Sequence, residues 1–308
     1  MAGNAQYASS GHKLGQRVGD WFEEYFVYPL LQEVESQLNL FLDCRFKSRQ
    51  SRGEKIVWQD LDGNFVDYDF VLEIGGSSDR FGAPVAFVES FWRRGSRHSK
   101  DKARDDSGKL SPMRDTHPTA RFLGIVAAGD FTLPARDLLR NRGIDLFYVP
   151  KVKLISAFQD CGLIVDYPDR STEEEKSRIA ADFDAAFSKR KKKQVARKLR
   201  EYVSAPTLES YVHRVRAAIG ALPQEIRLFA RQTSQPVVFE TAKEATQFLR
   251  EPSFGFDSPS ESFLYEVDYS DGSTFQRDVE TVSELRTLHS QIEKLVNHVA
   301  ALSFPARD

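Results

Sequence analysis

The sequence predicts an α/β protein, a central mixed sheet flanked by helices, followed by a smaller α+β region. Three observations carry that expectation. Apolar runs of strand length alternate with helix-period segments from about residue 18 to residue 161. Hairpin signals stand at Asp62-Gly63 and Asp271-Gly272, residues that tolerate positive φ. A highly charged helical tract over 172–202 follows an interruption at Tyr167-Pro168-Asp169. The expected organisation is therefore an arm over 1–15, an α/β domain over 16–165 and a C-terminal domain over 171–308.

The elements follow in order. Trp21, Phe22, Tyr25, Phe26, Leu30, Leu31, Val34 and Leu38 recur at helical spacing, with Pro29 expected to kink or split the helix. This aromatic group reads as core packing or a dimer seam. A strand over 40–46 precedes a hairpin of 55–60 and 64–74. In its second strand Val66, Tyr68, Phe70, Leu72 and Ile74 alternate with Asp67, Asp69, Val71 and Glu73. A mostly apolar strand over 84–92 suits a sheet interior. Ser99 caps a helix with Asp101 in its first turn, which Pro112 is expected to end. Strands at 121–128 and 144–149 then alternate with helices at 133–142 and 152–161. Beyond the charged tract come a helix over 208–221, hairpins over 226–239 and 263–279, a helix over 242–249 and a terminal helix over 282–302. No internal repeat is evident.

Composition narrows the function classes. A hydrophobic content of 41% and a charged content of 29% are those of a globular chain. The formal net charge of −2 argues against coating nucleic acid by bulk electrostatics, so any DNA binding must rest on local clusters. Cys44 and Cys161, the 2 cysteines, form no CxxC or Cys/His spacing, which argues against structural zinc or a disulfide framework. The 6 histidines are scattered without ligand spacing. Serine-nucleophile motifs are absent, and Gly75-Gly76 with Gly82 lacks the Gly-Lys-Ser/Thr of a phosphate loop. With no signal-type apolar run and no span of membrane length, a cytoplasmic setting is expected.

The segment from Val66 to Lys109, VDYDFVLEIGGSSDRFGAPVAFVESFWRRGSRHSKDKARDDSGK, carries the chemistry. Asp69 and Glu89 stand on successive strands, twenty residues apart along the chain, with Asp67 as the alternative first acid and Glu73 a weaker one. Paired carboxylates suit Mg²⁺, a hard cation that prefers oxygen. Arg93, Arg94, Arg97, His98, Lys100, Lys102 and Arg104 follow at once beside Trp92, a composition suited to phosphate contact and base stacking. His98 adds an imidazole that titrates near neutrality. A second basic run, Lys189 to Lys193 with Arg197, Lys198 and Arg200, either grips a DNA backbone or forms a solvated helix face balanced by Glu173-Glu174-Glu175.

Asp69, Glu89 and the order helix, hairpin, strand, helix, strand over 18–150 resemble the PD-(D/E)XK nuclease superfamily, the fold of many restriction endonucleases. The segment RRGSRHSKDKARDD is also similar to a block found in restriction-type nucleases. The resemblance implies a restriction-endonuclease-like core, Mg²⁺-dependent cleavage of double-stranded DNA, and Asp69 and Glu89 as metal ligands. At the motif lysine position, two residues after Glu89, this chain has Phe91. Lys102 is the expected replacement cation, with Arg93 as substitute. Arg93, Arg94, Arg97, His98 and Lys100 are then the expected DNA contacts. Cutting both strands calls for two active sites, so a homodimer is expected. The competing expectations are a nuclease-fold DNA-binding protein without chemistry and a protein-interaction module.

Overall fold

The computed structural model describes residues 10–230, 235–251 and 262–303, leaving aside the side chains of His98 and Ser303. The expected arm is helical from Ser10, because Leu14, Val18, Trp21 and Phe22 give α1 (Ser10–Phe22) a buried face. Residues 1–9 of that arm lie outside the described residues. The helical segment divides just before Pro29. The chain widens into a π-helical turn (Glu23–Val27) and resumes as α2 (Tyr28–Gln37). A local π turn re-routes the hydrogen bond that proline cannot donate.

The main sheet has five strands: β1 (Phe41–Cys44), β4 (Phe70–Ile74), β5 (Ala83–Arg93), β6 (Phe122–Gly129) and β7 (Asp145–Pro150), in the order β1-β4-β5-β6-β7. It is mixed, since β1 pairs antiparallel with β4 and β6 pairs parallel with β7. β2 (Val57–Gln59) and β3 (Phe65–Asp67) form a separate two-stranded ribbon around the Asp62-Gly63 turn, where Gly63 has φ +83°. The strand expected over 64–74 is therefore broken at Tyr68-Asp69. Its expected two-faced alternation fails too, for every residue of β4 is buried. β4 is an interior strand, with neighbours on both edges.

α3 (Ser99–Thr116) runs through Pro112, which was expected to stop it. Buried Ala103, Leu110 and Met113 hold both sides of the proline, and Thr116 Oγ1 donates to the Pro112 carbonyl at 2.8 Å. α4 (Leu133–Asn141) and α5 (Lys151–Gln159) alternate with the strands as expected. The charged tract divides at Phe187-Ser188 into α6 (Glu173–Ala186) and α7 (Lys189–Val203), and α8 (Ala205–Gly220) follows. No helix among the described residues is long and apolar enough to cross a membrane.

By its contacts the chain forms two compact units, each assembled from three stretches. One takes residues up to 33, 88–108 and 124–212; the other takes 34–87, 109–123 and 213 onward. The first is packed on aromatic side chains. Trp21 meets Phe158 edge-on at 4.6 Å, and Phe158, Phe183 and Phe187 form a cluster.

In the second unit a buried ion network fixes β1 to β4. Arg49, with no exposed side-chain surface, donates to Asp43 at 2.7 Å and to both Glu73 oxygens at 2.5 and 2.9 Å. Arg52 completes Asp43, and the Gly82 backbone N–H donates to Glu73 at 2.6 Å. Glu73 is thus a structural anion, which removes it as a metal-ligand candidate.

The same unit contains a repeat that the sequence does not reveal. β8 (Pro223–Ala230), β9 (Val237–Phe239) and α9 (Ala242–Arg250) are matched by β10 (Phe263–Tyr269), β11 (Thr274–Val279) and α10 (Val282–Ser303). The sheet order is β11-β10-β8-β9. Ile226 pairs with Phe239 as Phe263 pairs with Val279, while Ile226↔Val267 and Phe263↔Ala230 flank the central pair Leu228↔Tyr265. These registers interchange under a local twofold through Leu228 and Tyr265. The two helix starts repeat as well: Phe239-Glu240-Thr241 and Val279-Glu280-Thr281 each lead to a glutamate three residues on. Thr241 accepts from Glu244 N at 3.2 Å and Thr281 from Glu284 N at 3.1 Å. Each glutamate in turn accepts the N–H preceding its threonine.

Candidate active site

β5 is the element that delivers the chemistry. Its apolar run Val85–Val88 is buried, and it carries Glu89 into the interior at 3% exposure. Strand alternation puts Phe91 and Arg93 on the Glu89 side and Ser90 and Trp92 on the other. Asp69 occupies the bend just before β4, outside the strand, and is half-buried. Asp67 ends β3 on the surface and faces Lys55 at 3.5 Å.

The residue in the motif lysine position, Phe91, is buried and packs against Phe131 with centroids 5.3 Å apart. Lys102, one turn into α3, extends its ammonium to 5.5 Å from the centroid of the Phe91 ring. The negative face of an aromatic ring attracts a cation there. Lys102 also makes a 2.6 Å ion pair with Asp106, whose carboxylate side chain is 1% exposed. An ammonium, aimed by a buried acid, therefore occupies the neighbourhood of residue 91.

The other basic residues divide. Arg93, Arg97 and Lys100 are exposed. Arg94 is engaged inside the protein: it donates to Asp169 at 2.6 Å, to the Tyr167 carbonyl at 2.9 Å and to Asp166 at 3.4 Å, and lies over the Tyr167 ring. Burial opposes its charge, but the Asp169 hydrogen bond and the other anionic partners outweigh that and hold its pKa above the usual arginine value. His98 sits in a 3₁₀ turn (Ser96–His98), and its side chain lies outside the described residues.

A cleft of about 460 Å³ opens between α1 with its π turn and the end of β5. Asp20 and Glu23 line one wall; Ser90, Phe91 and Arg93 line the other. Tyr167 seats against Gly11, where any Cβ would strike its hydroxyl. Sequence reasoning assigns 1–15 to an arm and the next helix to core packing, so it misses this wall. The available signal is the spacing Gly11, Gly15, Gly19, which clears one helix face of side chains.

Among the described residues no group of three or more His, Cys, Asp or Glu is arranged to hold a metal ion. Mg²⁺ does not require one. It is commonly held by one or two carboxylates, with water and substrate phosphate completing six oxygens. Asp69 and Glu89 each offer carboxylate oxygen, the donor type that Mg²⁺ takes. Comparisons with protein-family models, with curated proteins and with solved structures each gave no match.

Proposed function

We propose that the protein is a Mg²⁺-dependent endonuclease that hydrolyses phosphodiester bonds of double-stranded DNA, on a core of restriction-endonuclease type. The observation that carries this reading is the Lys102 ammonium beside the Phe91 ring. It returns a positive charge to the region where the motif requires one, from a helix rather than from the strand. The element order α1–α2, β1, β4, β5, α3, β6 in a mixed sheet also supports it.

In this reading Asp69 and Glu89 supply the oxygen donors. Mg²⁺, when bound, would supply polarisation of a phosphoryl oxygen and a water of lowered pKa. Lys102 contributes fixed positive charge toward the developing phosphorane, oriented by Asp106. Arg93, Arg97 and Lys100, all exposed, contact neighbouring phosphates.

The test is cleavage of supercoiled plasmids and of a panel of modified and unmodified DNAs, with Mg²⁺ or with EDTA. Wild type cuts with Mg²⁺ only. Glu89→Ala abolishes cutting, and Lys102→Gln slows it on the order of a hundredfold, the usual loss for one charge-stabilising group. Cutting by Glu89→Ala at the wild-type rate, or in EDTA, overturns the assignment. A second reading, a DNA-binding protein without chemistry, draws on the same Lys102, whose charge Asp106 offsets. Salt-dependent DNA retardation without cleavage selects it.

A further inference from the structure

α7 carries five consecutive cations, Lys189 to Lys193, in its opening turns, with no acid in the first turn. This is the end of a helix where the macrodipole is positive and negative charge is favoured. The arrangement opposes itself electrostatically, and the protein relieves only part of it. Lys191 donates to the Cys161 carbonyl at 2.6 Å, and Lys192 lies over the rings of Tyr25 and Phe187. Lys189, Arg190, Lys193 and Arg197 remain exposed.

Several neighbouring acids are engaged elsewhere, while Glu33, Glu201 and Glu209 share a surface cleft with Arg197. Glu173 pairs with Lys176, Glu175 completes the α6 capping box, and Asp184 pairs with Arg17. Lys198 pairs with Glu201, further along α7. The adjoining side of α7 is fixed, with Val195, Ala196, Leu199 and Val203 buried. Lys189, Lys193 and Arg197 fall at i, i+4 and i+8, so they form one stripe about 12 Å long along the axis. A DNA strand carries one charge about every 3.4 Å of its axis, so the stripe spans roughly three phosphates.

The stripe is joined to the candidate active site through packing inside one unit. Trp21 Nε1 of α1 donates to the Lys192 carbonyl at 3.0 Å, and Lys192 covers Tyr25 in the π turn. The adjoining residues Asp20 and Glu23 form the cleft wall opposite Ser90 and Arg93.

We infer that the exposed stripe Lys189–Lys193–Arg197 of α7 is a DNA-backbone clamp, a second contact surface distinct from the α3 cations. The inference rests on DNA being the substrate but not on cleavage.

Its test is binding of a fluorescent duplex in EDTA, titrated over a range of salt, by wild type and by the variant Lys189→Gln/Lys193→Gln/Arg197→Gln. All three residues are exposed, and matching circular dichroism and melting temperature show that the variant is folded. Removing one phosphate-neutralising cation lowers the slope of log K against log salt by about 0.9, so the triple change lowers it by roughly two to three. An unchanged slope overturns the clamp even if wild type cuts DNA. A reduced slope upholds it even if no DNA is ever cut. A variant that loses affinity for anionic phospholipid vesicles, but none for duplex DNA, also overturns it.

Discussion

His117 follows the end of α3 between two rings, with centroids 5.4 Å from Trp58 and 5.7 Å from Phe87. Burial pushes its pKa from 6.5 down to about 4; a hydrogen bond to the Gln59 backbone resists, and the Arg277 guanidinium adds to the fall. The imidazole is thus neutral in the folded protein, while the unfolded chain takes up a proton below pH 6.5. Between those two values the unfolded state binds more protons, so stability rises with pH. The contribution is complete above pH 6.5 and is lost as pH falls toward 4. Wild type is expected to lose about 2 kcal/mol from this site between pH 7.5 and 5. His117→Phe removes that part of the pH dependence, which urea denaturation at the two pH values measures. An unchanged difference between the two pH values in the variant refutes the assignment. Single residues of this kind were the least legible in the sequence. Glu73 reads in the sequence as a weaker metal-ligand candidate, yet it lies buried against Arg49. Nothing local distinguishes an exposed carboxylate from one met by an arginine twenty-four residues away.

Elements were legible where periodicity and turn chemistry agree, and less so where tertiary packing decides. The strands β5, β6 and β7 follow from apolar runs, and α9 and α10 from their amphipathic spacing. Pro29 follows a division of the helical segment at the π turn, whereas Pro112 misled, because buried neighbours on both sides hold α3 together across it. The ββα repeat was missed because its two copies share little beyond a threonine cap and a glutamate, a signal hidden among ordinary helix starts. Its two caps give a direct test of equivalence. Thr241→Ala and Thr281→Ala each remove one side-chain acceptor from a helix start and are each expected to destabilise by about 1 kcal/mol. The caps serve different helices and share no partner, so the double variant should lose about the sum. Both helices also meet at the buried His289, which bonds Tyr265 and Thr246, so unfolding should remain a single transition. Urea titration of the two single variants and the double variant reads both quantities. A negligible loss from either threonine breaks the equivalence.

At the scale of the whole molecule, the mixed sheet and its flanking helices were readable because each strand and helix declares itself locally. No local pattern encodes which strands are neighbours, yet the expectation that the strands following Asp69 and bearing Glu89 adjoin agrees with the order β4-β5. Lys102 was readable for a different reason: a cation in the first turns of the helix after β5 has few places to go except back toward the strand end. One consequence belongs to the assembly alone. On the proposed function each chain would offer one Asp69/Glu89 site, so two copies are expected to act on a duplex, one on each strand. Wild type should sediment on a short duplex with the mass of two chains plus that duplex, and should convert supercoiled plasmid to linear product with little open circle. Co-expressed wild type and Glu89→Ala chains form mixed dimers with one competent site, and these should accumulate open circles in proportion to their share. If linear product instead scales simply with the amount of wild-type chain, each chain makes both cuts and the two-copy arrangement is wrong. Complete loss of cutting in the mixed dimers would also defeat it, since two independent sites cannot silence each other.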